Sequence, residues 1–259
     1  MMCLVLFTGC GKDAEGVSEE SKPSDVSTES EAEATSESTH APTEAPTATP
    51  APTSTPEPVF EDGIVDKVPV ADLGIMLKDC GTIQEISYTT KAYYGDESEI
   101  TKTAFVYLPK DYDETKQYNV LYLMHGGGDS PKWFLGGEGK KSKITRMLDS
   151  MIDSGEIKPM IVCAVSYYTD YSNDATRNCL NFHYELMNDL IPVLETTYPT
   201  YATDVTPDGL AASRTHRGFG GFSMGAVTTW SVFEHCLNEF AYFVPMSGDC
   251  WALGSPAGS

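Results

Sequence analysis

The chain has 259 residues, and its 38 acidic and 17 basic side chains give a formal net charge of −21. Acidic side chains outnumber basic ones both in residues 11–59 and from residue 60 onward, which repels phosphate backbones and excludes nucleic-acid binding as a main role. The sequence contains no apolar run near the roughly 18 residues that a membrane-spanning helix needs, so a membrane is expected as a partner only through a covalent lipid anchor.

The first ten residues resemble the end of a bacterial lipoprotein signal. An apolar stretch runs to Phe7, and Thr8 and Gly9 then precede Cys10, the position of the lipid-accepting cysteine in that pattern. Two features depart from the pattern, because Phe7 replaces the usual leucine and no Lys or Arg precedes the apolar run. We expect a start upstream of Met1, export, and lipidation at Cys10. The alternative is a hydrophobic N-terminus with an incidental cysteine.

Residues 11–59 have low complexity and consist mainly of Ser, Thr, Glu, Ala and Pro, with no aromatic residue before Phe60. Such a composition cannot bury enough apolar surface to offset the entropy of ordering, and its prolines favour an extended chain. The sequence therefore predicts three parts: a signal remnant at 1–10, a disordered linker at 11–59 and a folded domain at 60–259. We expect the linker to hold the domain away from the bacterial cell surface.

From Phe60 onward, predicted strands alternate with predicted helices. Alternation of this kind indicates an α/β domain with a mostly parallel sheet covered by helices on both faces. The predicted strands cover 82–94, 101–108, 119–125, 160–165, 217–222 and 241–246, and the predicted helices cover 144–152, 186–194 with a kink at Pro192, and 226–236.

The strongest chemical motif is Gly221-Phe222-Ser223-Met224-Gly225, which matches the G-x-S-x-G nucleophile elbow between a predicted strand and a predicted helix. A serine in such a tight turn needs neighbours without side chains two positions away, because the strand and the helix nearly touch. The turn also places the hydroxyl at a helix N-terminus, where the dipole stabilises negative charge. Ser223 is therefore the predicted nucleophile, and a structural glycine turn is the alternative.

A second glycine-rich segment, His125-Gly126-Gly127-Gly128, follows the predicted strand at 119–125. Its amides can approach an oxyanion closely, and the residue after the nucleophile supplies the other donor. We predict Gly127 and Met224 as the oxyanion-hole donors, with Gly126 as the alternative to Gly127. His125 precedes the nucleophile, and we expect it to orient the loop.

No spacing of histidines or cysteines predicts a zinc site, and we expect neither a metal nor a cofactor. Beyond Cys3 and Cys10 there are five cysteines, an odd number that cannot pair completely. We expect most of them to be buried thiols, although one disulfide remains possible in an exported protein.

Several stretches of the folded region carry the motifs of one family, namely 104–109, 118–128, 185–192, 212–225 and 246–251. Residues 80–259 resemble the bacterial feruloyl esterases of carbohydrate esterase family 1, in the esterase D-like branch of the α/β-hydrolases. The resemblance implies cofactor-free hydrolysis of hydroxycinnamate esters on arabinoxylan or its oligosaccharides. It also implies that Ser223 is the nucleophile and that Trp251 is an aromatic residue on the substrate side.

The residues themselves predict the reaction type but not the substrate, because an activated serine with an oxyanion hole means acyl transfer through an acyl-enzyme. An acetyl-xylan or other short-acyl carboxylesterase is one alternative. A non-catalytic carbohydrate-binding module at the cell surface is another. Tyr167, Tyr168 and Tyr171 follow a strand and are candidates to line a cleft, although ordinary surface or core roles are equally compatible.

The order of catalytic residues in α/β-hydrolases is nucleophile, acid and then histidine. The only histidine after Ser223 is His235, which lies 12 residues along the predicted helix. At 1.5 Å per residue it is about 18 Å from the elbow, and His216 lies near the opposite end of the nucleophile strand. We therefore expect the triad acid and histidine to be absent from this chain, a truncated C-terminus, and little activity.

Overall fold

The computed structural model describes residues 77–137 and 139–251 of the chain. The predictions for residues 1–10 with Cys10, for the linker at 11–59 and for the start of the 60–259 domain lie outside these described residues.

The main sheet has six strands, and a short hairpin lies apart from it. The strands of the sheet are β1 (Thr82–Lys91), β2 (Glu99–Leu108), β3 (Asn119–Met124), β6 (Met160–Val165), β7 (Arg217–Phe222) and β8 (Tyr242–Met246), and the hairpin consists of β4 (Gly136–Gly137) and β5 (Lys140–Lys141). The order in the sheet is β1-β2-β6-β3-β7-β8. The last four of these strands are parallel, whereas β1 and β2 pair antiparallel at one edge.

Helices connect the parallel strands. They are α1 (Lys132–Leu135), α2 (Lys143–Asp153), α3 (Ala175–Glu185), α4 (Ile191–Thr197), α5 (Pro207–Ala212) and α6 (Met224–His235). A π-helical turn, Leu186–Leu190, joins α3 to α4. Among the described residues, no helix is long and apolar enough to cross a membrane.

The helix predicted at 186–194 begins eleven residues earlier than expected, because α3, the π-helical turn and α4 follow one another without interruption. Pro192 is the second residue of α4. Proline lacks the N–H that an uninterrupted α-helix would use at this point, and a π-helical turn is one of the usual ways to accommodate such a break.

Two hydrophobic clusters cover the two faces of the sheet. One cluster packs α3, α4 and α6 against alternate strand residues such as Val106 and Tyr122. The other packs α1 and α2 against residues such as Phe105 and Leu123. Successive residues of a strand point to opposite faces, so each central strand contributes to both clusters. The predicted α/β architecture, with helices on both faces of a mostly parallel sheet, is confirmed.

A buried ion pair fixes the beginning of β7. The Arg217 guanidinium donates to both carboxylate oxygens of Glu195, at 2.6 and 2.7 Å, and both side chains are almost completely buried. Arg217 also donates to the carbonyls of Leu210 and Glu239. Burial alone would lower the pKa of Arg217, but the Glu195 carboxylate holds the pKa above its usual value.

Replacing Glu195 with alanine should leave the Arg217 charge buried without its counter-ion. We expect the free energy of unfolding to fall by about 3–5 kcal/mol, measured by urea denaturation. Asp153→Ala, which breaks the exposed Lys110–Asp153 pair, is the matched control and should change stability little. Equal losses in the two variants would contradict a special role for the buried pair.

Candidate active site

Ser223 lies at the junction of β7 and α6 with φ 55° and ψ −114°, a backbone conformation that residues other than glycine rarely adopt. A Cβ atom on Gly221 would collide with the carbonyl of Gly225, and one on Gly225 would collide with the carbonyl of Met124. The structure therefore requires glycine at both positions, because the strand and the helix approach each other too closely for a side chain. The predicted elbow geometry is present around Ser223.

Ser223 is half-buried and lies at the N-terminus of α6. The Ser223 amide donates to the carbonyl of Met246 at 2.9 Å, which ties the elbow to β8. The Ser223 side chain does not cap the helix. The helix N-terminus is therefore free to stabilise negative charge that develops at this position.

His125 is fully buried directly after β3 and holds the following loop. Its Nδ1 lies 2.7 Å from the carbonyl oxygen of Gly126, and its Nε2 lies 2.8 Å from the hydroxyl oxygen of Ser166. Because a carbonyl only accepts, Nδ1 carries the proton, and Nε2 accepts from Ser166. Burial lowers the pKa of His125, which favours this neutral form.

The hydrogen bond from His125 fixes the direction of the Gly127 amide, because the Gly126 carbonyl and the Gly127 N–H belong to one trans peptide and point in opposite directions. A Cβ atom on Gly127 would lie 3.5 Å from the Cγ of Met224, so the loop passes beside the start of α6. Within the described residues, neither the Gly127 nor the Met224 amide donates a hydrogen bond. Gly127 is exposed, whereas Gly126 is buried against Phe222 and Ser223.

Tyr168 holds the far end of the same loop. The Gly128 amide donates to the Tyr168 hydroxyl at 2.7 Å, and the Tyr168 amide donates to the Ser166 hydroxyl at 3.1 Å. Ser166 is itself anchored, because Lys102 donates to its carbonyl at 2.8 Å. The sequence placed Tyr168 after a strand and left its role open. The hydrogen bond between Gly128 and Tyr168 depends on the position of one hydroxyl group, which no spacing rule predicts.

The remaining described histidines are engaged elsewhere. His216 contacts Asn119 at the beginning of β3 and stacks on Tyr201, at the edge of the sheet opposite Ser223. His183 and His235 stack on each other with ring centroids 4.0 Å apart. Within the part of the chain that the structure describes, none of the four histidines bonds to the Ser223 hydroxyl. The absence of the triad acid and histidine from this chain remains a prediction.

Exposed aromatic residues lie along the segments on both sides of the elbow. Trp251 is 40% exposed and follows β8, and Gly248 in the same segment packs against the carbonyl of Ser223. On the other side, Trp133 in α1 stacks on Phe222, which precedes the nucleophile. The sequence resemblance pointed to Trp251, whereas nothing in the sequence analysis singled out Trp133.

All five cysteines in the described part of the chain are free thiols, and four of them are buried: Cys163, Cys179, Cys236 and Cys250. The possible disulfide is therefore not formed among these residues. No group of three or more His, Cys, Asp or Glu side chains among residues 77–137 and 139–251 is arranged to hold a metal ion.

Residues 98–253 match the family model described as "Putative esterase". The chain is 46% identical over 156 residues to endo-1,4-beta-xylanase Y of Acetivibrio thermocellus, covering 60% of this chain and 14% of that protein. It is 26% identical over 200 residues to an endo-1,4-beta-xylanase/feruloyl esterase of Xylanibacter ruminicola, covering 73% of this chain and 25% of that protein.

Among solved structures, the feruloyl esterase module from Clostridium thermocellum, a serine-to-alanine variant complexed with sinapinate, matches with a TM-score of 0.60 and 41% identity. The match covers 71% of this chain and 59% of that one. A ferulic acid esterase of carbohydrate esterase family 1 from Anaeromyces mucronatus shares the fold at 21% identity, with a TM-score of 0.56 over 70% of this chain and 65% of that one. The chain thus spans less than two thirds of each relative, and the resemblance inferred from its motifs is confirmed.

Removing the Tyr168 hydroxyl should loosen the loop that follows β3. In Tyr168→Phe the Gly128 amide loses its acceptor, and a hydrogen bond of this kind contributes about 1 kcal/mol. We expect hydrogen exchange of the Gly128 amide to accelerate roughly fivefold, as that energy implies, with the melting temperature nearly unchanged. Tyr184→Phe, at an exposed tyrosine of α3, is the control and should leave this exchange unaltered. Unchanged exchange in Tyr168→Phe would show that the hydroxyl does not hold the loop.

Proposed function

We propose that this chain, which belongs to the esterase family, carries the nucleophile of a serine esterase that hydrolyses feruloyl and related hydroxycinnamoyl esters on plant cell-wall xylan. The observation that carries the proposal is the strained Ser223 turn, with the loop after β3 running beside the first residue of α6. The substrate class is supported by relatives described as a xylanase/feruloyl esterase and as a feruloyl esterase module complexed with sinapinate.

In the proposed reaction, the Ser223 hydroxyl attacks the ester carbonyl and forms a C–O bond. The carbonyl oxygen becomes negatively charged and accepts hydrogen bonds from the amides of Gly127 and Met224. The alcohol of the sugar then leaves with a proton, and the hydroxycinnamoyl group remains on the serine. Water hydrolyses this acyl-enzyme and releases the free acid.

Both steps need a general base. Within the described residues His125 is committed to the loop, His183 and His216 bond to other groups, and His235 stacks on His183. We therefore propose that the base and its acidic partner come from outside the described residues. The described part supplies the nucleophile and the amide donors, and Trp251 is proposed to contact the acyl group.

An acetyl-xylan or other short-acyl esterase would use the same serine, and a non-catalytic carbohydrate-binding module would not use it. A feruloyl substrate is favoured over an acetyl substrate by the names of the relatives and by the exposure of Trp251 in the segment that packs against the elbow. A small acetyl group has no planar surface for such a side chain to contact.

We also propose that the protein is exported and held at the bacterial surface, or outside the cell, by a lipid on Cys10, with residues 11–59 as an extended spacer. The lipobox-like sequence before Cys10 and the proline-rich, aromatic-free composition of the spacer support this arrangement. A polymeric xylan substrate also favours an enzyme outside the cell.

The test of the reaction is transfer of a feruloyl group to Ser223. The 4-nitrophenolate of 4-nitrophenyl ferulate leaves without needing a proton, so acylation of Ser223 depends less on a base than attack of water on the acyl-enzyme does. Deacylation should therefore be the slower step, and incubation with this ester should leave one feruloyl group on the peptide that contains Ser223. Peptide mass mapping detects it, and Ser223→Ala should abolish it. Ser247→Ala is the matched control, because Ser247 is exposed and, like Ser223, has φ 55°.

Labelling at Ser213 or Ser247 would refute the assignment of Ser223 as the nucleophile. Faster labelling by 4-nitrophenyl acetate would favour the short-acyl esterase. No labelling by either ester would favour the non-catalytic carbohydrate-binding module. We expect residues 1–259 to turn over methyl ferulate slowly, because loss of a triad member leaves only about 10³–10⁴-fold acceleration over water. Rapid turnover that is abolished by His216→Ala or His235→Ala would overturn the proposal about the base.

For the anchor, the wild-type protein in its native host should partition into detergent with the membrane fraction and carry a diacylglyceryl group on Cys10. Cys10→Ser removes the thiol that accepts the lipid, so the protein should be released or left unprocessed. Mass spectrometry of the N-terminal peptide measures the modification. Recovery of the wild-type protein entirely in the cytosol would exclude both the anchor and export.

A further inference from the structure

Trp133 and Phe222 form an exposed, stacked aromatic pair beside the proposed nucleophile. Their rings are stacked, with centroids 5.5 Å apart and planes inclined by only 14°. Both side chains are substantially exposed, Trp133 at 42% and Phe222 at 38%. Phe222 directly precedes Ser223 in the chain, and a Cβ atom on Gly126 would lie 3.3 Å from both the Phe222 ring and the Ser223 side chain. We call this pair the aromatic platform.

Contacts with Phe134 and Ser130 hold Trp133, and with it the aromatic platform, in place. Trp133 packs edge to face on Phe134, with centroids 4.7 Å apart, and Phe134 is buried in the core with α2. The Trp133 amide donates to the carbonyl of Ser130 at 2.9 Å, which fixes the start of α1. The exposed rings are therefore preorganised, and a ligand that stacks on them loses little of its affinity to ordering the site.

The platform and Trp251 belong to segments on different sides of the elbow. In the sheet order, β7 lies between β3 and β8. Trp133 is in the segment that follows β3, and Trp251 is in the segment that follows β8. An ester bound with its carbonyl at Ser223 has two arms, the acyl arm and the alcohol arm, which leave the carbonyl in different directions. With the acyl arm proposed at Trp251, the platform lies on the side of the alcohol arm.

We infer that the aromatic platform of Trp133 and Phe222 binds a neutral sugar ring of the alcohol arm, so that it recognises the polysaccharide rather than the hydroxycinnamoyl group. This inference rests on the proposed function. A pyranose or furanose ring has an apolar C–H face that an open aromatic surface can cover while its hydroxyl groups stay in water. Both residues of the platform are exposed, so part of its aromatic surface is accessible for such a contact.

Charge indicates which sugars fit. The chain has a net charge of −21, which disfavours uronic acid residues relative to neutral sugars. The neighbouring cation, Lys132, lies over the Phe105 ring at 5.0 Å and is directed there rather than to the platform. Lys132 is therefore not a charged partner of the platform, which offers dispersion and apolar contact.

The test measures binding, which does not depend on a general base. The probes are free ferulate and an unesterified arabinoxylan oligosaccharide, titrated into residues 1–259 and followed by calorimetry and by the tryptophan indole N–H resonances. Trp133→Ala should weaken oligosaccharide binding about tenfold, the loss expected for one aromatic stacking contact, and leave ferulate binding unchanged. Trp251→Ala should weaken ferulate binding and leave oligosaccharide binding unchanged.

Tyr184→Ala is the matched control, because it removes an exposed aromatic side chain on α3, and it should change neither affinity. The wild-type spectrum gives a second measurement that needs no variant. The Trp133 indole resonance should shift with the oligosaccharide, and the Trp251 resonance should shift with ferulate. This readout decides the question even if Trp133→Ala does not fold.

The outcomes separate the two proposals. Loss of ferulate binding alone in Trp133→Ala, or no loss with either probe, would overturn the platform's role and leave the esterase proposal standing. Oligosaccharide binding that depends on Trp133, in a protein that does not bind ferulate, would support the platform and contradict the feruloyl specificity. A wild-type chain that binds neither probe would overturn both.

Discussion

The close approach of three backbone segments determines the geometry of the whole candidate site. The end of β3, the end of β7 and the first turn of α6 come so near that a Cβ atom on Gly225 would collide with the Met124 carbonyl. The same contact forces Ser223 into a left-handed conformation, which costs about 1–3 kcal/mol for a residue other than glycine. It also brings the loop after β3 beside the helix N-terminus, so the positions of the proposed nucleophile and of the proposed oxyanion donors follow from one constraint.

The two ends of β7 are held by different interactions. At the beginning of the strand, the buried Arg217–Glu195 pair links β7 to α4. At its end, the strain of Ser223 is held in a turn whose amide bonds to β8. A strained turn persists only when its surroundings are rigid, and the central position of β7 between two parallel partners supplies that rigidity.

The sequence predicted the central strands well because their signals are local. The strands at 160–165 and 217–222 have the predicted bounds, since the first is a run of apolar residues and the second consists of Phe and Gly after Arg217. α1 was missed because four residues are too few to show helical periodicity. α3 was missed because it buries polar residues such as Asn178 and Glu185, which interrupt the apolar pattern. Glycine spacing likewise predicted the elbow and its loop, whereas Tyr168 and Trp133 act through contacts between rings and hydroxyls that are distant in sequence.

Substitutions affect the main-chain groups and the exposed side chains of the proposed site differently. The proposed oxyanion donors are main-chain N–H groups, which every residue except proline possesses, so side-chain substitution alters their position rather than their chemistry. The position of the proposed Gly127 donor depends on the neutral ring of His125 and on the hydroxyls of Ser166 and Tyr168, which hold the loop after β3. The exposed side chains of Trp133 and Trp251 lie in segments that follow β3 and β8, whereas Phe222 ends β7. In the proposed site the reaction chemistry thus depends largely on main-chain groups and the substrate choice on exposed side chains, so the second can vary while the first is kept.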